Sequence, residues 1–378
     1  MHVPFCARAC DFCNFYQERP DRTGIQDYLA AMEREFALYP PARPFETVFW
    51  GGGTPGLLKA EDLRRLGRII QNADTRHLRE WTVEMAPGSV REDKLESLRE
   101  MGVTRVSMGV QSFDDGLLER LGRPHTRRQV DQAIDLIRKL EFPNWNLDLM
   151  FALPGQTLTQ WEADIRAAME REPPHLSTYC LTFEEDTTLW VRLQKGQVHK
   201  RSEVEEAAFY ERAWDLLASG GYGQYEVSNF ARPGYSCIHN LNTWRMHEWL
   251  GYGPSASSQL GQRRWTNAHD LEAWATGVAT ARPARVDEVA LTPNLLAQDC
   301  VVFGLRMNEG IDLCHLQKRY PDADWPALDT LLAQLVEEAL IEVTEARWTL
   351  TRSGRLLADA IGSAVIGAMD ADALAPAS

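Results

Sequence analysis

The sequence predicts an α/β protein in which a full or partial barrel of parallel strands is followed by a helical accessory domain. Between residue 46 and about residue 230, short β-rich segments alternate with amphipathic helical segments. Repeated strand–helix units form parallel sheets, and six or more units in a row are typical of a barrel. Past residue 230 the alternation stops, and the C-terminal part of the chain is helical with a predicted hairpin.

The elements of the barrel follow from the spacing of apolar residues. Six runs are predicted as strands: Thr47–Trp50, Trp81–Met85, Arg105–Val110, Asn146–Phe151, Leu176–Leu181 and Gln224–Val227. Helices are predicted where apolar residues recur every three or four positions, as in Leu63, Leu66 and Ile70. The helical segments are Glu61–Gln71, Arg91–Met101, Arg128–Leu140, Trp161–Glu170 and Glu203–Ser219.

The rest of the chain divides into a connecting region, an accessory domain and a tail. A stretch rich in Gly and aromatic residues, 231–285, shows no clean periodicity. Helices then ending in a small hairpin indicate a winged-helix-like domain, whose elements are Leu295–Arg306, Asp312–Arg319, Ala327–Glu338, the hairpin Ile341–Val343 with Trp348–Leu350, and Arg352–Ile361. We therefore expect a barrel over 1–230, an accessory domain over 286–365 and a disordered tail over 366–378.

Composition limits the classes of function. The chain has 378 residues with 54 acidic and 40 basic side chains, a net charge of −14, which argues against a nucleic-acid partner. No run of 18 apolar residues is present, so an integral membrane protein is not expected. The first residues do not form a secretory signal, and we expect a cytoplasmic protein.

Three of the seven cysteines lie within eight residues and predict a metal site. Cys6, Cys10 and Cys13 form a C-x3-C-x2-C triplet, too crowded for a disulfide framework. Thiolates are the ligands of iron–sulfur clusters, and three ligands for a [4Fe-4S] cube leave one iron open. The amino and carboxylate groups of S-adenosylmethionine can chelate that iron. The alternative is a zinc site with a fourth ligand elsewhere, but the second C-x2-C pair of ordinary zinc sites is missing.

A run of glycines closes the first predicted strand. In Gly51-Gly52-Gly53-Thr54-Pro55 the backbone can approach a ligand without side chains in between. Ligands of parallel α/β folds bind at the carboxyl ends of the strands, where this run lies. A sharp strand-to-helix turn is the alternative, although one glycine would serve for it. The run is not a phosphate-binding P-loop, because it lacks the terminal G-K-[ST].

With the triplet and the G-G-G-T-P run, the chain resembles the radical SAM superfamily, in particular the HemW-type heme chaperones of its coproporphyrinogen-oxidase branch. The likeness extends from residue 2 to about residue 362. It includes Thr82-Val-Glu84, Arg105-Val-Ser-Met-Gly-Val-Gln111-Ser-Phe113, Leu121-Gly-Arg123-Pro-His125-Thr126, Asn146-Leu-Asp148, Leu153-Pro-Gly-Gln-Thr157 and Tyr225-Glu-Val-Ser-Asn229-Phe-Ala231. The resemblance implies a partial TIM-type (β/α)6 radical SAM barrel. By family pattern, S-adenosylmethionine would be bound by Phe12, Gly52, Gly53, Thr54, Glu84, Gln111, Arg123 and Asp148.

Two features of the sequence distinguish the branches of this family. The oxidase carries a fourth cysteine two residues after the third, whereas Phe15 stands there in this chain, as in HemW-type proteins. His239-Asn-Leu-Asn-Thr-Trp244 matches a motif linked to heme binding in that family. The resemblance thus implies His239 as a heme ligand and Trp244 as a porphyrin contact, although residue chemistry alone favours a loop histidine and a core tryptophan.

Three functions follow as hypotheses. The first is a heme chaperone whose partners are heme, a heme-acceptor protein and an electron donor. The second is an oxygen-independent coproporphyrinogen III oxidase, and the third is a zinc-stabilised structural or interaction protein. Relatives have a strand before the cysteine loop, but Met1 stands five residues before Cys6, so we expect the native N-terminus to extend upstream.

Overall fold

The computed structural model describes residues 1–369, and its centre is a curved sheet of eight strands. Six strands run parallel, in chain order, from one edge: β1 (His2–Val3), β2 (Thr47–Gly52), β3 (Glu80–Met85), β4 (Arg105–Gln111), β5 (Asn144–Phe151) and β6 (His175–Cys180). Two short antiparallel strands, β7 (Gly223–Gln224) and β8 (Asn229–Ala231), complete the other edge, where β8 pairs with β6. The predicted partial barrel is confirmed.

Helices connect successive strands along the outside of this sheet. They are α1 (Arg22–Leu38), α2 (Ala60–Gln71), α3 (Glu92–Met101), α4 (Asp115–Arg120), α5 (Arg127–Lys139), α6 (Leu158–Glu170), α7 (Thr188–Gln194) and α8 (Glu203–Ser219). Three of them begin with a capping box, in which a hydroxyl and a side chain three residues later satisfy the first backbone N–H groups: Thr126 with Gln129, Thr157 with Gln160, and Ser202 with Glu205. Local sequence therefore fixes where these helices start.

Side chains of the strands alternate between an apolar layer under the helices and a polar barrel interior. In β5, Leu147 and Leu149 belong to the main hydrophobic core. Asn146 and Asp148, which alternate with them along the strand, lie on the opposite face, because successive strand residues point to opposite sides. Both hydrogen-bond across the sheet to polar neighbours on β4 or β6. The interior thus offers hydrogen-bonding groups, whereas the core stabilises the sheet.

The connecting region has regular structure that periodicity did not reveal. It contains α9 (Ile238–Trp244), β9 (Ser257–Leu260), β10 (Arg263–Asn267), α10 (Leu271–Ala279) and β11 (Arg285–Ala290), and the three strands form an antiparallel sheet. Helix α10 packs on α1. There the buried carboxylate of Glu35 accepts hydrogen bonds from Gly253 N (2.7 Å), Asn267 Nδ2 (2.9 Å) and Trp274 Nε1 (3.1 Å). Burial and these bonds join the region to the barrel.

The C-terminal elements form a smaller unit with its own core. They are α11 (Pro293–Leu305), β12 (Ile311–Asp312), α12 (Leu313–Arg319), α13 (Trp325–Glu337), β13 (Ile341–Thr344), β14 (Arg347–Leu350), α14 (Arg352–Leu356) and α15 (Ala358–Met369). Strand β14 lies between β12 and β13 in an antiparallel sheet. Val301, Leu328 and Val365 are fully buried in this core. Helices against a small hairpin sheet are the arrangement predicted from the sequence.

Several details differ from the prediction. The segment predicted as a sixth parallel strand, 224–227, contributes only the end of β7, because the chain turns and pairs antiparallel through β8. Helix α1 was not predicted, since Glu35 interrupts its apolar face. Residues 366–369, assigned to the tail, continue α15, where Met369 is buried and its carbonyl accepts a hydrogen bond from Asn294 Nδ2 (2.7 Å).

The predicted domain boundaries stay predictions, and residues 370–378 of the predicted tail lie outside the described residues. Among residues 1–369, no helix combines the length and the apolar character that crossing a bilayer requires.

Candidate functional site

The three cysteines of the triplet lie on one loop that leaves β1. All three are free thiols and half-buried. Burial raises the pKa of the Cys13 thiol, and the neighbouring Cys10 and Cys6 act in the same direction, so the three sulfurs are close enough to influence one another. Burial also raises the pKa of Cys6. Because metal binding requires thiolates, a cationic metal centre would relieve both effects.

Backbone hydrogen bonds hold this loop at several points. Its ends are joined where Cys6 N donates to Glu18 O (3.0 Å) and Glu18 N donates to Pro4 O (2.7 Å). In the middle, Asp11 N donates to Leu121 O (3.1 Å), and Leu189 N donates to Asp11 O (2.7 Å). The loop is therefore fixed against α4 and α7 before any ligand is present, as a preorganised site requires.

The glycine run is needed for close backbone contacts around the loop. Gly53 N donates to Val3 O (2.9 Å) and Thr54 N donates to Phe5 O (2.8 Å), which lays the run against the segment leading to Cys6. A Cβ on Gly53 would lie 2.7 Å from Val3 O and 2.8 Å from Phe5 O. Gly52 has φ +100°, and a Cβ there would fall on the ring of His2. The glycines thus let the protein pack against itself, in addition to exposing backbone to a ligand.

Two predicted carboxylates face the barrel interior near this run. Glu84 Oε2 accepts a hydrogen bond from Gly52 N (3.2 Å). Burial, followed by the charge of Asp148, raises the pKa of Glu84 to about 7. Burial also raises the pKa of Asp148, although Asn146 Nδ2 donates to its Oδ1 (2.7 Å). Two half-buried carboxylates that face the barrel interior are suited to accept hydrogen bonds from ligand hydroxyls.

Gln111 and Arg123 supply polar atoms that the protein leaves without partners. Arg123 donates from Nη1 to Cys10 Sγ (3.1 Å) and from Nη2 to Gly109 O (2.6 Å). Its Nε and the Oε1 of Gln111 are buried without a hydrogen-bond partner in the protein. Thr54 Oγ1 lies 3.6 Å from Cys6 Sγ. Unsatisfied buried polar atoms are costly, and a ligand seated between the cysteine loop and β4 would satisfy them.

Asp164, on α6, holds the end of β4 and was not singled out from the sequence. Gln111 adopts φ +69°, a left-handed conformation that is strained for a residue with a side chain. Directly after it, Ser112 Oγ and Phe113 N each donate to Asp164 at 2.7 Å. A signal was available, because Asp164 lies three residues after Trp161 on the apolar face of its helix. A lone carboxylate there indicates a buried polar contact.

The ionisation of Asp164 leads to a prediction about pH and stability. Burial raises its pKa to about 6, above the value near 3.9 of an unfolded chain. The folded protein therefore binds this proton more tightly, and stability falls as the pH rises from about 4 to about 6. Relative to Asp164→Asn, the wild type should lose roughly 2 kcal/mol of unfolding free energy over that interval. Urea unfolding of both proteins across the pH range measures this difference, and a constant difference would contradict the assignment.

The two phenylalanines of the cysteine loop lie in different surroundings. Phe12 is half-buried against a small apolar cluster that includes Leu121, Met150 and Leu189. Phe15, which stands at the position of the oxidase's fourth cysteine, is 70% exposed. The predicted contact of Phe12 with the adenine of S-adenosylmethionine stays a prediction. The fourth cysteine position carries no thiol and is turned to solvent.

The structure does not bring His239 and Trp244 together. Both are on α9, which lies at the amino ends of β2 and β3, the opposite end of the barrel from the cysteine loop. The His239 ring stacks on Phe49 (centroids 5.0 Å apart, 25° between planes), and its Nδ1 lies 2.9 Å from Thr47 Oγ1. Trp244 instead packs on the C-terminal unit, against Phe303 and Arg306. Five residues turn a helix by about 140°, so the two side chains face different partners.

The site at the carboxyl ends of the strands has the donors expected for a cluster and a nucleotide. Within residues 1–369, no three His, Cys, Asp or Glu side chains are gathered closely enough to hold a single metal ion. In an iron–sulfur cube each thiolate binds its own iron, so the three sulfurs need not share one metal ion. The site suits a cluster with a ligand beside it. It offers three neighbouring thiols, the unpartnered polar atoms of Gln111 and Arg123, and the carboxylates of Glu84 and Asp148.

Comparisons by family profile, sequence and structure all identify similar proteins of the same kind. The radical SAM superfamily profile matches residues 1–168, and the HemN C-terminal domain profile matches residues 291–357. The heme chaperone HemW of Bacillus subtilis is 32% identical over 372 residues, 97% of this chain and 98% of that protein. The heme chaperone HemW of Escherichia coli is 36% identical over 272 residues, 69% of each chain. The structure of coproporphyrinogen III oxidase (HemN) from Escherichia coli, a radical SAM enzyme, superposes with a TM-score of 0.83 at 25% identity, covering 96% of this chain and 88% of its own.

Proposed function

Because the chain belongs to the radical SAM superfamily and, within it, to the HemW family of heme chaperones, we propose that it binds heme and transfers it to an acceptor protein. The observation that carries the proposal is the cysteine loop. Three neighbouring thiols lie beside the glycine run and the orphaned atoms of Gln111 and Arg123, while the oxidase's fourth cysteine is replaced by the exposed Phe15.

In this proposal Cys6, Cys10 and Cys13 each bind one iron of a [4Fe-4S] cluster. The cluster would supply an open iron at which the amino and carboxylate groups of S-adenosylmethionine bind. The guanidinium of Arg123, already beside Cys10, would face the methionine carboxylate. Glu84 and Asp148 would accept hydrogen bonds from the ribose hydroxyls, and Gln111 from a donor of the nucleotide. Gly52, Gly53 and Thr54 would border the methionine end, and Phe12 the adenine.

His239 and Trp244 remain proposed heme contacts, with His239 as axial ligand. Burial lowers the pKa of His239 to about 4, so its ring is neutral at physiological pH, the state in which histidine binds iron. With its proton on Nδ1, donated to Thr47 Oγ1, the Nε2 of His239 would be free to bind a metal. Trp244 packs on the C-terminal unit, whereas His239 packs on β2. A heme that contacted both residues would therefore have to extend along the length of α9.

Heme titration tests this function. Adding hemin to the anaerobically reconstituted protein should shift the Soret band and saturate near one heme per chain. His239→Ala should weaken heme binding about tenfold or more, because it removes an iron ligand. The exposed His315→Ala is the matched control and should bind as the wild type does. An unchanged Soret band in the wild type would end the heme proposal. Equal heme binding by both variants would contradict only the role of His239 as heme ligand.

The alternative, an oxygen-independent coproporphyrinogen III oxidase, is favoured by the structural similarity to HemN. An anaerobic assay with coproporphyrinogen III, reductant and S-adenosylmethionine distinguishes the two. Formation of protoporphyrinogen with 5′-deoxyadenosine would establish the oxidase, and the chaperone proposal expects neither product from coproporphyrinogen.

The proposal also concerns the surroundings of the protein. We expect a reducing compartment, the cytoplasm, since three thiols must stay reduced until the cluster is assembled. An electron donor and a heme-acceptor protein would be its partners.

A further inference from the structure

A continuous series of buried and partly buried hydrogen bonds crosses the barrel interior from α9 to Asp148. Cys237 N, at the start of α9, donates to Tyr225 Oη (3.3 Å). Tyr225 Oη lies 2.8 Å from His175 Nε2, and His175 Nδ1 lies 2.6 Å from Asn146 Oδ1. Asn146 Nδ2 then donates to Asp148 Oδ1 at 2.7 Å. No part of the proposed cofactor chemistry uses His175, Tyr225 or Asn146.

The donor and acceptor roles in this series are fixed by chemistry. The Tyr225 oxygen already accepts from Cys237 N, so its hydrogen is free to point at His175 Nε2. A neutral imidazole that accepts at Nε2 carries its proton on Nδ1 and donates it to Asn146 Oδ1. His175 is neutral, because burial and the charge of Arg105 lower its pKa well below its usual value. The tautomer of His175 is therefore set by its two partners together, the Tyr225 hydroxyl at Nε2 and the Asn146 oxygen at Nδ1.

Asn146 connects His175 to Asp148, and its amide orientation depends on the tautomer of His175. Its Oδ1 accepts from His175 and from Ser177 Oγ (3.2 Å), and its Nδ2 donates to Asp148 and to Ser107 Oγ (2.8 Å). A flipped amide would point its oxygen at the Asp148 carboxylate and its N–H at the Nδ1 proton of His175. The hydrogen bonds to Asp148 and His175 would be lost in a buried place, where unsatisfied groups are most costly, and only the two serine hydroxyls could turn to keep theirs.

We propose that Tyr225 and His175 are positioning residues that fix the amide of Asn146 and thereby aim the carboxylate of Asp148 at the cofactor end of the barrel. The inference rests on the proposed role of Asp148 in binding the ribose of S-adenosylmethionine. Asp148 keeps its N–H donor only while His175 holds its present tautomer. The series begins at Cys237, the residue immediately before α9. One hydrogen-bond network therefore connects the start of that helix with the proposed nucleotide site.

The test uses Tyr225→Phe, which removes one hydroxyl, and Tyr222→Phe as its matched control. Tyr222 is buried in the same segment, and its hydroxyl donates to Pro173 O (2.8 Å), outside the series. Both variants should lose similar thermal stability. Titration calorimetry with S-adenosylmethionine on the cluster-loaded proteins should give about tenfold weaker binding for Tyr225→Phe and wild-type binding for Tyr222→Phe. Equal affinity for Tyr225→Phe and the wild type would overturn the proposal.

A second readout does not depend on the cofactor. In protein with 15N-labelled histidine, the His175 resonances, assigned by their loss in His175→Gln, should show the proton on Nδ1 in the wild type and a mixture of tautomers in Tyr225→Phe. A wild-type proton on Nε2 would overturn the proposal even if S-adenosylmethionine binds. Failure of the wild type to bind S-adenosylmethionine, with the Nδ1 tautomer present, would instead count against the proposed role of Asp148.

Discussion

Replacing Cys6, Cys10 or Cys13 by alanine is expected to abolish cluster assembly. Each thiolate is proposed to hold a separate iron, and the loop offers no fourth cysteine to substitute for a lost one. Iron and sulfide bound after anaerobic reconstitution should fall below about one tenth of the wild-type amounts. The broad visible absorbance of an iron–sulfur cluster should disappear with them.

The chain provides a control for this experiment. Cys314 is exposed, on the C-terminal unit, and Cys314→Ala should retain wild-type iron and absorbance. The fold should survive in all four variants, because the loop is held by backbone bonds such as Cys6 N to Glu18 O rather than by the thiols. A triplet variant that bound as much iron as Cys314→Ala would show that its cysteine is not a ligand.

Gly53→Ala is expected to destabilise the protein by about 2–3 kcal/mol. The added methyl would lie within 2.8 Å of three backbone atoms, Val3 O, Pro4 C and Phe5 O, and backbone cannot move aside as a flexible side chain can. It would push the segment before Cys6 away from β2 and break the hydrogen bonds from Gly53 N and Thr54 N. Unfolding in urea measures the loss of stability, and iron content after reconstitution should fall with it.

Gly88→Ala is the matched control for that substitution. Gly88 is exposed, and the nearest atom to a Cβ there is the side-chain nitrogen of Gln129 at 3.4 Å, which can move. This variant should unfold within about 0.5 kcal/mol of the wild type. If Gly53→Ala were as stable as Gly88→Ala, the close contact inferred between the glycine run and the segment before Cys6 would be contradicted.

The sequence predicted those parts of the fold that depend on local patterns. Apolar spacing located α2, α5 and α8 within a residue or two of their ends, because amphipathic periodicity and capping residues act within one or two turns. The prediction of a parallel strand over 224–227 was wrong. The chain direction there is decided by the antiparallel pairing of β8 with β6, which is distant in sequence. Nothing in a short β-rich run reveals which way its partner runs.

The candidate site shows the same division between local and distant information. The cysteine triplet and the glycine run are contiguous motifs, and both were visible in the sequence. Contacts such as Asp164 with Phe113 or Tyr225 with His175 join residues about fifty positions apart, which periodicity cannot pair. The motif containing His239 and Trp244 suggested one site, but helical geometry directs the two side chains to the barrel and to the C-terminal unit.

The most direct test concerns the three thiolates and the open iron that they leave. It is the electron paramagnetic resonance spectrum of the reduced, anaerobically reconstituted protein, recorded with and without S-adenosylmethionine alongside its metal content. We predict about four iron atoms per chain and a cluster signal that changes when S-adenosylmethionine is added, because the ligand binds the open iron. Protein that contained zinc or no iron, or a cluster signal unaffected by S-adenosylmethionine, would contradict the assignment.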